Sequence, residues 1–488
     1  MDRPTALDLA FLDLETPQAP LHVGWTLRFD GAAPPVAALR RHLDARLDAV
    51  PRFRRRLERP ALGAPRWVDD AGFDVARHVF GVALAAPGGD EELRAVAGAL
   101  LSRPLPADRP LWRMYLVEGP DAAGSGGFAL VGQAHHALVD GVAAVAVARL
   151  LFGPAAGGGG GAGSSWVPAR RAGAGEALLE SAGARARAVG GAARDVAGAL
   201  WGAPTGGESP RSSAERATAV LQDAARAVEG LARPGLATSL ERSVSARRAV
   251  AYADVALDAV RETGRRRGAT VNDVLLAATA VALRAALRRR GEPAAAIRAL
   301  VPVSVRAGED PALGNRISFL PVELPLGEPD PGRVLALVHA RAAAAKAGGG
   351  TGVLDALGRA ADALPGPGRR LVARSALRAL PFTLVVSNVP GPPVALELLG
   401  RPLRGVHPMV PLLHGHALSV GAVSFAGRLW IGLATDAEVM ADVDQVARDL
   451  AGAFAALARP APAPAPAGEA LSPWRARARE RRQRAANR

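Results

Sequence analysis

The sequence has no cysteine, two tyrosines, an aromatic content of 4% and Lys346 as its sole lysine. The missing thiol excludes disulfides, thiolate nucleophiles, acyl-cysteine intermediates and cysteine-ligated metals, while leaving the compartment open. No apolar run approaches the roughly 20 residues that cross a bilayer. Met1 to Gly24 lacks the basic start and apolar centre of a secretory signal. Because lysine is nearly absent, the net charge of +14 is an arginine charge. Without a recognised nucleic-acid fold or interleaved aromatics, it does not point to a nucleic-acid partner.

What remains is a chain of 488 residues, 49% hydrophobic, long enough to bury two cores. Residues 1–152 alternate strand and helix patterns. Leu21 to Phe29 alternates as a strand, Pro35 to Val50 has helical periodicity, and Arg109 to Val117 and Phe128 to Ala134 are strand-like. Residues 153–243 are rich in Gly, Ala and Arg and read as a partly helical linker. Residues 244–458 resume the alternation, with strands over Arg247 to Val255, Ile317 to Leu324, Phe382 to Asn388, Ala417 to Phe425 and Arg428 to Ala434. Helices are expected over Leu257 to Arg266 and Thr270 to Arg289. Residues 459–488 form an Ala-Pro spacer and a tail holding Arg475, Arg477, Arg479, Arg481, Arg482, Arg484 and Arg488. The plain reading of this tail is solvated and disordered; the sharper one is an anionic membrane or lipid-droplet surface.

The segment His135-His-Ala-Leu-Val-Asp140-Gly141 carries the chemistry. It lies between a buried strand pattern and a helix read over Val142 to Phe152, where side chains reach a cleft and helix N–H groups favour neutral imidazole. Adjacent histidines on extended chain point to opposite sides, so one faces the cleft and the other faces protein. Asp140 can bond back to the loop backbone or pair with an arginine, and Gly141 permits a tight turn. Arg306 is a candidate partner for Asp140. No third ligand stands near His136 and Asp140, and no carboxylate falls within the group His407, His414 and His416, which reads as a loop; no metal is expected.

His-His-x-x-x-Asp-Gly resembles the acyltransferases related to chloramphenicol acetyltransferase and to peptide-synthetase condensation domains. Further blocks are similar to the bacterial wax ester synthase/diacylglycerol acyltransferase family: Thr5 to Gly24, Pro51 to Leu57, Arg109-Pro-Leu-Trp112, Asn272 to Ala277, Val301 to Arg306, Gly314-Asn315 and Ser387 to Pro392. They occur in order from about Thr5 to about Asp444. The chain departs from the family at Arg113, where an acidic residue often follows the tryptophan.

The resemblance implies an α/β fold of two chloramphenicol acetyltransferase-like domains with mixed sheets and a tunnel at their interface. It implies transfer of a long-chain acyl group from acyl-CoA, a substrate rather than a cofactor, to the hydroxyl of diacylglycerol or a fatty alcohol. His136 would be the general base, His135 a supporting residue, and Asp140 the residue that holds the loop before Gly141. Asn272, Ser387 and Asn388 are candidates to line the substrate path or help the oxyanion, against plain cap and turn roles. The expected location is cytoplasmic, or peripheral on the inner membrane face or lipid droplets. An acyltransferase using another alcohol, an amine or a carrier-bound donor, and a non-catalytic lipid-binding protein, are the alternatives.

Overall fold

A computed structural model describes residues 3–60, 65–119, 127–154, 166–169, 183, 238–294, 296–304, 317–347 and 382–459. The first half runs α1 (Ala6–Leu14), β1 (His22–Phe29), α2 (Val36–Arg46), β2 (Arg55–Glu58), β3 (Arg66–Asp69), β4 (Val79–Ala83), α3 (Asp90–Leu101), β5 (Trp112–Glu118), β6 (Phe128–His135) and α4 (Gly141–Phe152). The second half runs β7 (Arg248–Ala256), α5 (Leu257–Arg266), α6 (Val271–Arg289), β8 (Ala296–Ser304), β9 (Ile317–Pro325) and α7 (Pro331–Ala347). It continues with β10 (Leu384–Pro390), β11 (Glu397–Leu398), β12 (Arg401–Met409), β13 (Leu418–Phe425), β14 (Arg428–Asp436) and α8 (Val443–Ala458).

Two six-stranded mixed sheets result, ordered β11-β12-β1-β6-β5-β4 and β7-β14-β13-β10-β8-β9. The first sheet is completed from far along the chain: β12 pairs antiparallel with β1, with Gly24 opposite Met409 and Thr26 opposite His407. Leu39, Leu43, Trp112, Leu116, Phe128 and Leu130 form the core of the first half. In the second, α6 is buried on nearly every side among Leu384, Ile431, Leu433 and Leu450, which explains its small and aliphatic residues. Where the sheets meet, Leu101, Tyr115 and Val131 pack against Val250, Met409 and Ala434.

Among the described residues no single helix is long and apolar enough to cross a membrane. The pair α5 and α6 passes by length and composition but bends by 96°. Most of α6 is core, which accounts for its hydropathy without a bilayer.

The loop expected around His407 is a strand. His407 lies in β12, only 2% exposed, stacked on Tyr252 at 4.3 Å and edge-on to Trp430. Pro402 and Pro408 suggest a break, but the chain stays extended because the second sheet leaves room for it. A Cβ at Gly432 would stand 2.0 Å from the Pro408 carbonyl oxygen. His416 instead stacks on Phe382 at 3.8 Å, and His414 is exposed, so the three histidines form no cluster. The described residues contain no group of three or more His, Asp or Glu side chains placed so that they could hold a metal ion.

Candidate active site

The strand pattern before the histidines is fulfilled by β6, buried along its whole length. Its last residue, His135, is paired with His22 on β1, and the two rings meet edge-on at 5.9 Å. His135 is 1% exposed. Its Nδ1 accepts a hydrogen bond from the Ala137 N–H at 3.0 Å, so the neutral ring carries its proton on Nε2. That atom faces Glu15 Oε2 at 3.6 Å, and His22 Nε2 lies 3.3 Å from Glu15 Oε1.

The turn after β6 is pinned by backbone bonds: His135 N–H to the Leu111 carbonyl, His136 N–H to the Leu21 carbonyl and Leu138 N–H to the His135 carbonyl, at 2.8–2.9 Å. His136 is partly exposed, and its ring stacks on Phe11 of α1 with centroids 4.0 Å apart. The two histidines therefore have different surroundings, one sealed in protein and the other partly exposed.

Asp140 is fully buried and caps α4: Oδ1 accepts from the Ala143 N–H at 2.8 Å. The observed bond is a cap on the helix that follows the loop; Arg306, the other partner considered for Asp140, lies outside the described residues. Gly141 begins α4 beneath Val389 of β10, and a Cβ there would come within 2.8 Å of Val389 Cγ2. The start of the helix after the histidine loop is thus packed against the second half.

Ser387 and Asn388, read as a strand end and turn, lie within β10, which continues to Pro390; both are partly exposed. They immediately precede Val389, which places this strand segment beside the α4 N-terminus. Asn272 stands in the first turn of α6, after the cap Thr270, and is partly exposed. Its neighbour Asp273 is buried and accepts from the Thr270 N–H and from His339 Nδ1, both at 2.9 Å. Burial disfavours the Asp273 carboxylate, but these bonds outweigh it and hold the group below its usual range.

Phe11 and Glu15 are contacts that sequence reasoning left unassigned; His22, expected to pack at the domain entrance, is buried in β1 opposite His135. Glu15 belongs to the first family-like block, but its role appears only when β1 and β6 pair. Burial acts against the Glu15 charge, yet His135 and His22 more than compensate and hold its carboxyl well below the ordinary range. Burial pushes His22 down, with Glu15 opposing.

Comparison with known proteins decides the family. Residues 5–275 match the wax ester synthase/diacylglycerol acyltransferase catalytic domain. The chain belongs to the wax ester synthase/diacylglycerol acyltransferase family. Residues 313–458 match the family's C-terminal domain. It is 32% identical over 475 residues to tgs1 of Mycobacterium tuberculosis, named as a probable diacylglycerol O-acyltransferase, covering 94% of this chain and 96% of the relative. The wax ester synthase/diacylglycerol acyltransferase of Marinobacter aquaeolei VT8 has the same fold, with a TM-score of 0.66 at 24% identity, covering 94% of this chain and 98% of that one. The first condensation domain of a calcium-dependent antibiotic synthetase also shares the fold, at TM-score 0.57 and 17% identity over 94% and 97% of the two chains. As a member of the family, the chain is an acyltransferase.

Proposed function

We propose that this acyltransferase moves a long-chain acyl group from acyl-CoA to the hydroxyl of diacylglycerol, making triacylglycerol, or of a long-chain alcohol, making a wax ester. The observation that supports this most directly is the division of labour in the histidine pair. His135 is sealed and bonded to the backbone, whereas His136 is partly exposed beside a helix start closed by Asp140. A base must reach substrate while its loop stays fixed, and this arrangement meets both needs.

In this reading, His136 removes the proton of the acceptor hydroxyl as its oxygen attacks the thioester carbonyl. The tetrahedral intermediate collapses by breaking the C–S bond, and His136 returns the proton to the departing CoA thiolate. No covalent enzyme intermediate is required, in keeping with a chain that has no cysteine. The oxyanion needs preorganised donors. Asn272, and Ser387 with Asn388 on β10 beside the α4 start, are the proposed lining groups, in a tunnel between the halves. No metal or cofactor takes part. Both acceptors partition into lipid, so the enzyme works at a membrane or lipid-droplet surface from the cytoplasmic side; the arginine-rich tail, outside the described residues, supplies charge for that contact.

The test is to incubate purified protein with labelled palmitoyl-CoA and either diacylglycerol or hexadecanol, with His136→Ala in parallel. Neutral lipid formed by the parent, with turnover reduced about 10²- to 10⁴-fold in a folded His136→Ala, is the expected result. Equal turnover by the two proteins would sink the mechanism.

A further inference from the structure

The described residues place a second set of titratable groups directly behind the histidine pair. Glu15, the residue that closes α1, puts Oε1 3.3 Å from His22 Nε2 and Oε2 3.6 Å from His135 Nε2. One turn earlier on the same helix, Phe11 stacks on His136. The Glu15 N–H donates to the Phe11 carbonyl at 3.1 Å, so both grips belong to one turn of α1. The helix is fixed at its other end by a reciprocal cap, with the Thr5 N–H donating to Asp8 Oδ2 and the Asp8 N–H to Thr5 Oγ1. A helix of nine residues thus contacts both rings of the histidine pair.

We propose that Glu15 is a positioning residue for the acyl transfer, acting through His135 to hold the His136 loop. This rests on the reading of His136 as the base. The carboxylate offers an acceptor oxygen to each of two imidazoles. His135 has its Nδ1 committed to the Ala137 N–H, so the proton of its neutral ring lies on Nε2, the atom 3.6 Å from Glu15 Oε2. Burial pushes the His22 imidazole down while Glu15 opposes the shift, and His22 Nε2 stands 3.3 Å from Glu15 Oε1. With its tautomer set, the His135 ring keeps its bond to Ala137 N–H, and that bond closes the turn on either side of His136.

An amide in place of the carboxylate cannot do this. Glutamine has one carbonyl oxygen and one NH₂, so it offers an acceptor to only one of the two Nε2 atoms. Glu15→Gln is close to isosteric and removes the double acceptor without opening a cavity. Glu15→Asp keeps two oxygens and the charge on a shorter stem.

The experiment measures kcat and KM for palmitoyl-CoA, with melting temperature, on the full-length parent, Glu15→Gln, Glu15→Asp, His135→Gln and the double variant Glu15→Gln/His135→Gln. The expected result is a kcat about tenfold lower in Glu15→Gln, with KM within twofold and a melting temperature within a few degrees. Glu15→Asp recovers part of the loss. In the His135→Gln background Glu15→Gln costs little further, because the link it acts through is already cut. The inference is overturned by a Glu15→Gln kcat within twofold of the parent, by full additivity of the two substitutions, or by a kcat loss that tracks a fall in melting temperature in both Glu15 variants. His136→Ala in the same series separates the two ideas. A parent-like His136→Ala overturns the base reading and this proposal with it, whereas an inactive His136→Ala beside a parent-like Glu15→Gln overturns this proposal alone.

Discussion

The ring of Phe11 lies flat on the ring of His136, with 4.0 Å between centroids and 19° between planes. A stacked neighbour on one face limits rotation of the imidazole, which remains partly exposed. Phe11 itself is buried, anchored by the helix that precedes β1.

Phe11→Leu should therefore separate orientation from packing. An aromatic pair is worth about 0.5–1.5 kcal/mol beyond its buried area, so loss of the stack should lower kcat by about twofold to tenfold. The melting temperature should change little, because leucine retains most of the apolar volume. Phe11→Ala should instead lose about 3–5 kcal/mol of stability. Steady-state kinetics and thermal melts on both variants check this, and unchanged kcat in Phe11→Leu would mean the stack does not set the ring.

Asp140 and its cap make a second prediction. Asp140→Ala removes the acceptor for the Ala143 N–H from a fully buried site and should cost about 1–2 kcal/mol through the cap alone. Folded yield and activity should fall together. Asp140→Asn keeps an acceptor oxygen at the same place and should recover much of the yield. Chemical denaturation of the two variants reads the difference; equal stability of Asp140→Ala and the parent would remove the loop-holding role.

How much of this was legible in the sequence depends on how far apart the partners lie. The alternation of β1, β5 and β6, the helix after Asp140 and the cap at Thr270 are local patterns, and the structure has them within a few residues of the expected bounds. The strand β12 is not local. It carries Pro402 and Pro408, and its partner β1 lies almost the whole chain away, so no neighbouring residue signals that it is extended. The block from Thr5 to Gly24 is legible as a family motif, but that Glu15 serves His135 follows from the register pairing His22 with His135. His407 shows the same limit: it is a strand residue because Gly421 and Gly432 in the other sheet make space for Pro408.

Gly141 tests whether the two halves meet at the helix start. A Cβ there would stand 2.8 Å from Val389 Cγ2, so Gly141→Ala should cost about 1–3 kcal/mol by overpacking and push β10 away from α4. Trimming the opposing side chain should relieve this: the double variant Gly141→Ala/Val389→Ala should regain stability and activity relative to Gly141→Ala. Denaturation midpoints and kcat of the single and double variants measure it, and absence of any recovery would show that the strain lies elsewhere.

The buried histidines set an acid limit on stability. His78, His407 and His416 are each pushed down to about 4, chiefly by burial, with backbone acceptors opposing the shift. Their folded proton affinity is thus below the unfolded value near 6.5, and between pH 4 and 6.5 the unfolded chain binds more protons than the folded one. The sign follows: stability from these groups is complete above about pH 6.5 and is lost as pH falls towards 4, with no further loss below. For fully buried His407 the span corresponds to on the order of 3 kcal/mol. His407→Phe keeps a ring to stack on Tyr252 and has no proton to bind, so its urea midpoint should fall less steeply than the parent's between pH 6.5 and 4. Parallel slopes for the two proteins over that window would mean that His407 takes no part in the acid sensitivity.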